Sequence, residues 1–124
     1  MQFFANLGIQ AGADSFIRTA LPLDEPARRY LSLVVAAIPA NAALPLHVHR
    51  NSEDLFVVIS GCGHLMESGR KRSIGSLEAV WVPSGHAHGL STEREAVLEI
   101  GCQAPPDEIP VEVPRCEDVY SKQQ

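Results

Sequence analysis

His47-Val48-His49-Arg50-Asn51-Ser52-Glu53-Asp54 is a histidine pair with one residue between, followed within five positions by two adjacent carboxylates. In an extended strand, side chains i and i+2 leave the same face, with Cα atoms roughly 6.5–7 Å apart. Two imidazoles at that spacing can close on one cation with little backbone distortion. A carboxylate on the next strand can add an oxygen ligand to the same ion. The stretch therefore predicts a metal site built on β-structure, and it requires a further ligand from elsewhere in the chain.

The flanking sequence reads as short strands. Leu31 to Ile38 is an apolar run rich in branched residues, read as a buried strand and ended by Pro39-Ala40-Asn41. Leu46 to His49 is a short strand with Pro45 at its start. Leu55 to Ile59 has the strongest strand signal in the chain. Gly61-Cys62-Gly63 permits a tight bend. His64 to Glu67 and Lys71 to Ile74 form a hairpin about Ser68-Gly69-Arg70. Ala79 to Val82 is a strand stopped by Pro83-Ser84-Gly85, and His88 to Leu90 and Ala96 to Gly101 are two more. No segment holds a helical period over three turns. Many short strands at close spacing predict a sandwich or barrel. After Cys102 come Pro105, Pro106, Pro110 and Pro114, the signature of a tail or edge-lying arm rather than a central strand.

Composition narrows the function. A chain of 124 residues with 45% hydrophobic residues is expected to form one globular domain. Net charge is −5 with both signs interspersed, and Arg70-Lys71-Arg72 is too short a basic run for a nucleic-acid footprint. No apolar run is long enough to span a bilayer. The N-terminus lacks the pattern of a signal peptide, so a cytoplasmic location is expected, with no membrane or nucleic-acid partner. Cys62, Cys102 and Cys116 are odd in number and widely spaced, which predicts free thiols.

The second informative stretch is Pro83-Ser84-Gly85-His86-Ala87-His88-Gly89. Here the chain resembles the cupin superfamily over about residues 30 to 102. The first cupin motif is broadly G-x5-H-x-H-x3–4-E-x6-G, and His47, His49 and Gly61 fit it. The second is broadly G-x5-P-x-G-x2-H-x3-N, and Pro83, Gly85 and His88 fit it. Asn41 stands at the first glycine position, where it tolerates a left-handed backbone. Leu77 stands at the glycine opening the second motif, and Thr92 at the closing asparagine. The carboxylate position falls on Asp54 if six residues are left before Gly61, or on Glu53 if residue type decides. One step along a strand turns a side chain to the other face, so the two are alternatives, and spacing favours Asp54.

The resemblance implies an all-β, single-domain jelly-roll barrel (a double-stranded β-helix). An N-terminal arm with strands over 1–29, a barrel over 30–102 and a proline-rich tail over 103–124 are expected. It implies that His47, His49, His88 and Asp54, or Glu53 in its place, surround a divalent transition metal: Fe, Mn, Zn, Ni, Co or Cu. Glu53 and His86 are the candidate acid–base groups, while His64 is expected to be an ordinary surface histidine. Phe56 and Trp81 are candidates for the lining of a ligand cavity or for core packing. Cys62 is a small hydrophobe by default, or a thiol near the metal. The function expected is a metal-dependent enzyme of the oxygenase, isomerase or lyase class acting on a small polar metabolite. The alternative is a non-catalytic barrel that binds or senses a metal or small molecule. A homodimer is expected, with residues 3–18 and the tail covering the sheet edges.

Overall fold

The computed structural model describes residues 1–106 other than 6 and 11, together with the backbone of 111–112. The strands are β1 (Ile17–Ala20), β2 (Ser32–Ile38), β3 (Ala43–Val48), β4 (Glu53–Ser60), β5 (Cys62–Glu67), β6 (Arg70–Gly75), β7 (Ala79–Val82), β8 (His88–Ser91), β9 (Val97–Ala104) and β10 (Val111–Glu112). They form two five-stranded sheets, ordered β1-β2-β9-β4-β7 and β10-β3-β8-β5-β6, and each pairing is antiparallel. From β2 onward the chain crosses to the other sheet at each connection except the β5–β6 hairpin. The result is the expected double-stranded β-helix.

Local chemistry explains the crossings. Gly61 joins β4 to β5 at φ +88°, and a Cβ there would lie 1.9 Å from the Ala96 carbonyl oxygen, so only glycine fits. Asn41 takes the left-handed conformation at φ +56°. Thr92, at the closing motif position, ties that turn to β8: its hydroxyl donates to the Pro39 carbonyl at 2.5 Å and accepts from the Ala42 N–H at 3.0 Å. Leu77 also takes a left-handed conformation, φ +65°, with its side chain 84% exposed. The backbone geometry of the motif glycine thus survives there without the glycine.

Some element boundaries differ from the sequence reading. β3 begins at Ala43 and runs through Pro45 rather than starting at it. The proline is accommodated where the β3–β8 register shifts between Leu44 and His47, because a bulge needs no ladder N–H at that point. β4 begins at Glu53, so both candidate carboxylates lie on the strand. β9 extends to Ala104 and pairs with β4 throughout. One helical turn, α1 (Glu25–Arg28), precedes β2; it is too short to show a period and carries ion pairs from Glu25 to Arg28 and Arg29. Of the proline-rich segment, β10 pairs with the edge of β3; residues 107–110 and 113–124, with Cys116 and Pro114, lie outside the described residues.

The core lies between the sheets, built from Ile38, Phe56, Val58, Leu65, Ile74, Val82, Leu90 and Val97. It fills one end of the barrel. At the other end the inward positions of the same strands turn polar.

Candidate metal centre

β3 and its extension deliver His47 and His49, β8 delivers His88 and β4 delivers Asp54. The bulge after Leu44 matters here. Leu44 and His47 are three apart, yet both line the interior, which strict alternation would forbid. The two motifs are locked together by the Gly85 N–H, which donates to the His49 carbonyl at 2.9 Å.

One ligand atom from each of His47, His49 and His88 lies within 4.8 Å of the others. Ring centroids are 4.3 Å apart for His47–His88, 5.1 Å for His47–His49 and 5.5 Å for His49–His88. Asp54 Oδ2 lies 3.3 Å from His88 Nε2 and 3.7 Å from His49 Nε2. His49 and His88 are buried, and His47 is half-buried.

The tautomers suit a cation. His47 Nδ1 lies 2.8 Å from the Pro45 carbonyl and His88 Nδ1 lies 3.0 Å from the His86 carbonyl. A carbonyl can only accept, so Nδ1 carries the proton in each ring. In the neutral form this leaves the Nε2 lone pair of each ring available as a ligand. Burial holds the His47 pKa below the usual histidine value, against the Pro45 hydrogen bond that raises it; His88 and His49 lower it further. Gln103, buried beside the cluster, brings Nε2 to 3.5 Å from His49 Nε2, and its Oε1 has no hydrogen-bond partner among the described groups. Water on a bound ion would satisfy that oxygen. Three neutral imidazoles and one carboxylate form a donor set for a divalent transition ion, and the residues present fit such a group.

The alternation of β4 separates the two candidate carboxylates. Asp54 faces inward to the histidines. Glu53 faces outward, where its Oε1 accepts a hydrogen bond from Trp81 Nε1 at 2.9 Å. As an acid–base candidate Glu53 is therefore on the wrong side of the sheet. His86 is also displaced: its ring is exposed, with Nε2 2.8 Å from Glu67 Oε2, and it does not line the pocket. The turn at Pro83–Gly85 is the reason, because strand alternation begins only at His88. Trp81 is on the outer face, 59% exposed, whereas Phe56 serves both core and cavity. Cys62 is exposed on β5, and Glu95 beside it pushes its thiol pKa up, which disfavours the reactive thiolate. His64 faces Glu93 at 4.0 Å, away from the cluster.

The cluster opens into a cavity of about 360 Å³. Its walls include Val34, Ala36, Leu44, Phe56 and Leu90, with Phe16 and Arg18 on the β1 side. Sequence reasoning missed one wall residue with chemistry of its own. Glu99 of β9 lines this cavity, and burial pushes its pKa from 4.5 up to about 7; the Asp54 charge adds to the rise and His88 opposes it. The signal was present as one carboxylate inside the apolar run Val97-Leu98-Glu99-Ile100.

The architecture and this cluster define a small β-helix barrel with an internal histidine–carboxylate site. No protein-family model matches the chain, and no curated protein matches it. Solved structures do. The polyketide cyclase RemF from Streptomyces resistomycificus superposes with TM-score 0.76 at 23% identity, over 100% of this chain and 94% of that one. KdgF from Halomonas sp. gives 0.72 at 20% identity, over 87% and 96%. The DMSP lyase DddQ from Ruegeria pomeroyi DSS-3 gives 0.71 at 23% identity, over 90% of this chain and 59% of that one. An RmlC-like cupin from Shewanella frigidimarina is similar as well. The chain has the cupin superfamily fold. Among the described residues, no helix is long and apolar enough to cross a membrane.

Proposed function

We propose that this chain is a metal-dependent cupin enzyme performing proton-transfer chemistry, of the lyase or isomerase kind, on a small polar metabolite. One observation carries the reading. An inward carboxyl whose pKa stands near 7, Glu99, lines the same cavity as three clustered histidines and the Asp54 carboxylate beside them.

A divalent ion held by His47, His49, His88 and Asp54 would supply Lewis acidity toward a carbonyl or carboxylate oxygen of the substrate. The protein's own groups do the rest. Glu99 holds or accepts a proton at its carboxyl within reach of a molecule filling the cavity, and a pKa near neutrality lets it do both. Val34, Ala36, Phe56 and Leu90 exclude water from the reacting centre. Arg18 at the rim offers a cation to an anionic group on the substrate, and Phe16 beside it an apolar surface. DddQ and RemF carry the names of a lyase and a cyclase, and such chemistry on the same fold supports the reading by analogy only.

The test is metal analysis of protein purified without a nickel column, followed by incubation of the loaded protein with small hydroxy-, keto- and enol-acids in D₂O. The expected result is deuterium uptake or elimination detected by NMR, abolished by Glu99→Gln with metal content retained, and abolished by His88→Ala with metal lost. A ligand bound tightly and returned unchanged, with no exchange, would instead make the barrel a binding module.

A further inference from the structure

Gln103 closes the inward row of β9 beside the histidines. Register sets it opposite Asp54 on β4 and Ser32 on β2, so its carboxamide and the Asp54 carboxylate leave neighbouring strands on the same face. The residue is 8% exposed and lines the cavity. Its Nε2 lies 3.5 Å from His49 Nε2, at the outer limit of a hydrogen bond, and its Oε1 has no hydrogen-bond partner among the described groups. A carboxamide nitrogen can only donate, so His49 Nε2 accepts and its lone pair faces the site.

An ion bound to His49 takes the lone pair to which Gln103 donates. The amide then stands in a buried wall with an N–H lacking an acceptor and a carbonyl lacking a donor. A leucine at this position would fill the wall with neither demand. Buried polar groups left unpaired disfavour a complex, so the site selects a molecule that meets both. Water on the ion can do so in the resting site. A substrate that displaces this water must bring a donor of its own. A keto or carboxylate oxygen brings none. An amine arrives at neutral pH as an ammonium, without a lone pair for the ion. A hydroxyl brings both a lone pair and a proton, and contact with a cation makes it a stronger donor.

We infer that Gln103 determines specificity and that the substrate is an α-hydroxy carbonyl compound, with a hydroxyl on the carbon next to a carbonyl or carboxylate. The hydroxyl donates to Gln103 Oε1, and the neighbouring oxygen accepts from Gln103 Nε2. The two oxygens of such a molecule are adjacent, as are the oxygen and nitrogen of a carboxamide, so one flat amide edge reads both. The inference rests on the metal reading above and narrows its substrate class.

Titration calorimetry on the full chain loaded with Zn(II), with metal content checked afterwards, tests it. The probes are glycolate and mandelate, each measured against its methyl ether, methoxyacetate or methoxyphenylacetate. The ether keeps the oxygen and loses the proton. The unmodified protein should bind at least one hydroxy acid about tenfold or more tightly than its ether. Gln103→Leu should bring that ratio to within about threefold. Its Zn(II) affinity should be undiminished, because the amide's bond to His49 competes with the ion. Gln103→Met serves as a second variant if circular dichroism shows that leucine impairs folding. A ratio below about tenfold in the unmodified protein overturns the inference, as does a ratio that stays above about threefold in the folded variant. Binding of neither hydroxy acid overturns it too. A Zn(II) affinity about tenfold weaker in the folded variant makes the amide a ligand of the ion, and so overturns the assignment. Unmodified protein that takes up no Zn(II) removes the metal reading itself. Bound Zn(II) with equal affinity for acid and ether leaves that reading standing and removes this inference alone.

Discussion

Replacing Glu99 with glutamine should change how stability depends on pH. The folded chain holds the Glu99 carboxyl at about 7, against an ordinary value of 4.5. That displacement corresponds to about 3 kcal/mol of preference for the neutral form in the folded state. The sign follows from proton counting. Between pH 4.5 and 7 the unfolded chain has released this proton and the folded chain still holds it. The Glu99 contribution to stability is therefore fully present below pH 4.5, is lost as pH rises, and levels off above about 7. Glutamine keeps the shape, cannot ionise and removes this slope. Urea melts of metal-free protein in EDTA, at intervals from acid to mildly alkaline pH, give stability for both proteins. Titrations of groups away from Glu99 are common to both and cancel in the difference, which keeps the Glu99 titration together with its coupling to Asp54 and His88. The difference should move by about 2–3 kcal/mol in favour of Glu99→Gln as pH rises through the window. A difference that stays flat within about 0.5 kcal/mol, or that moves the other way, refutes the assignment of Glu99 as a buried, largely neutral carboxyl. Adding a divalent ion should shift the fall to lower pH, because the cation offsets the Asp54 charge and favours the Glu99 carboxylate.

Three other perturbations separate site from scaffold. Asp54→Ala should weaken metal affinity by at least tenfold, while Glu53→Ala leaves it within about twofold and only loosens Trp81; isothermal titration with Zn(II) or Mn(II) reads both. Leu77→Gly should raise stability by up to about 1 kcal/mol, seen as a higher urea midpoint at unchanged slope, because a leucine at φ +65° carries a left-handed penalty that glycine lacks. Arg18→Gln should raise KM for an anionic substrate several-fold with kcat nearly unchanged, as expected for a rim residue that binds without taking part in the chemistry.

The carboxylate ligand was ambiguous in the sequence for a definite physical reason. The gap from His49 allows Glu53 and Asp54 alike, the gap to Gly61 favours Asp54, and the phase of β4 decides between them. That phase is visible once Phe56 and Val58 are known to be core, because Asp54 shares their parity and Glu53 does not. The histidines were legible because their spacing is itself a strand period. Glu99 was not, since no motif covers β9 and a single carboxylate in an apolar strand reads as a solvated edge. Its parity with Val97, Gly101 and Gln103 puts it inside, but that argument needs the register of β9 between β2 and β4. His86 shows the opposite error: a spacing of two from His88 has strand meaning only when both residues are in the strand, and β8 begins at His88.

Following the inward positions along each strand shows how one barrel serves two purposes. On β9 they run from Val97 in the core to Glu99, Gly101 and Gln103 at the cavity. On β4 they run from Val58 through Phe56 to Asp54, and on β8 from Leu90 to His88. On β2, Ile38 gives way to Ala36 and Val34. Each strand thus contributes an apolar end to a packed core and a polar or small end to the site, in the same direction around the barrel. Small residues at Ala36 and Gly101 leave the space that the core end fills with Val58 and Val97. Clustered imidazoles and carboxylates inside a sheet sandwich cost stability unless something bound there compensates them. The core at the far end is what allows that cost to be carried without the ion, so substitutions among the ligands should remove function before they unfold the chain.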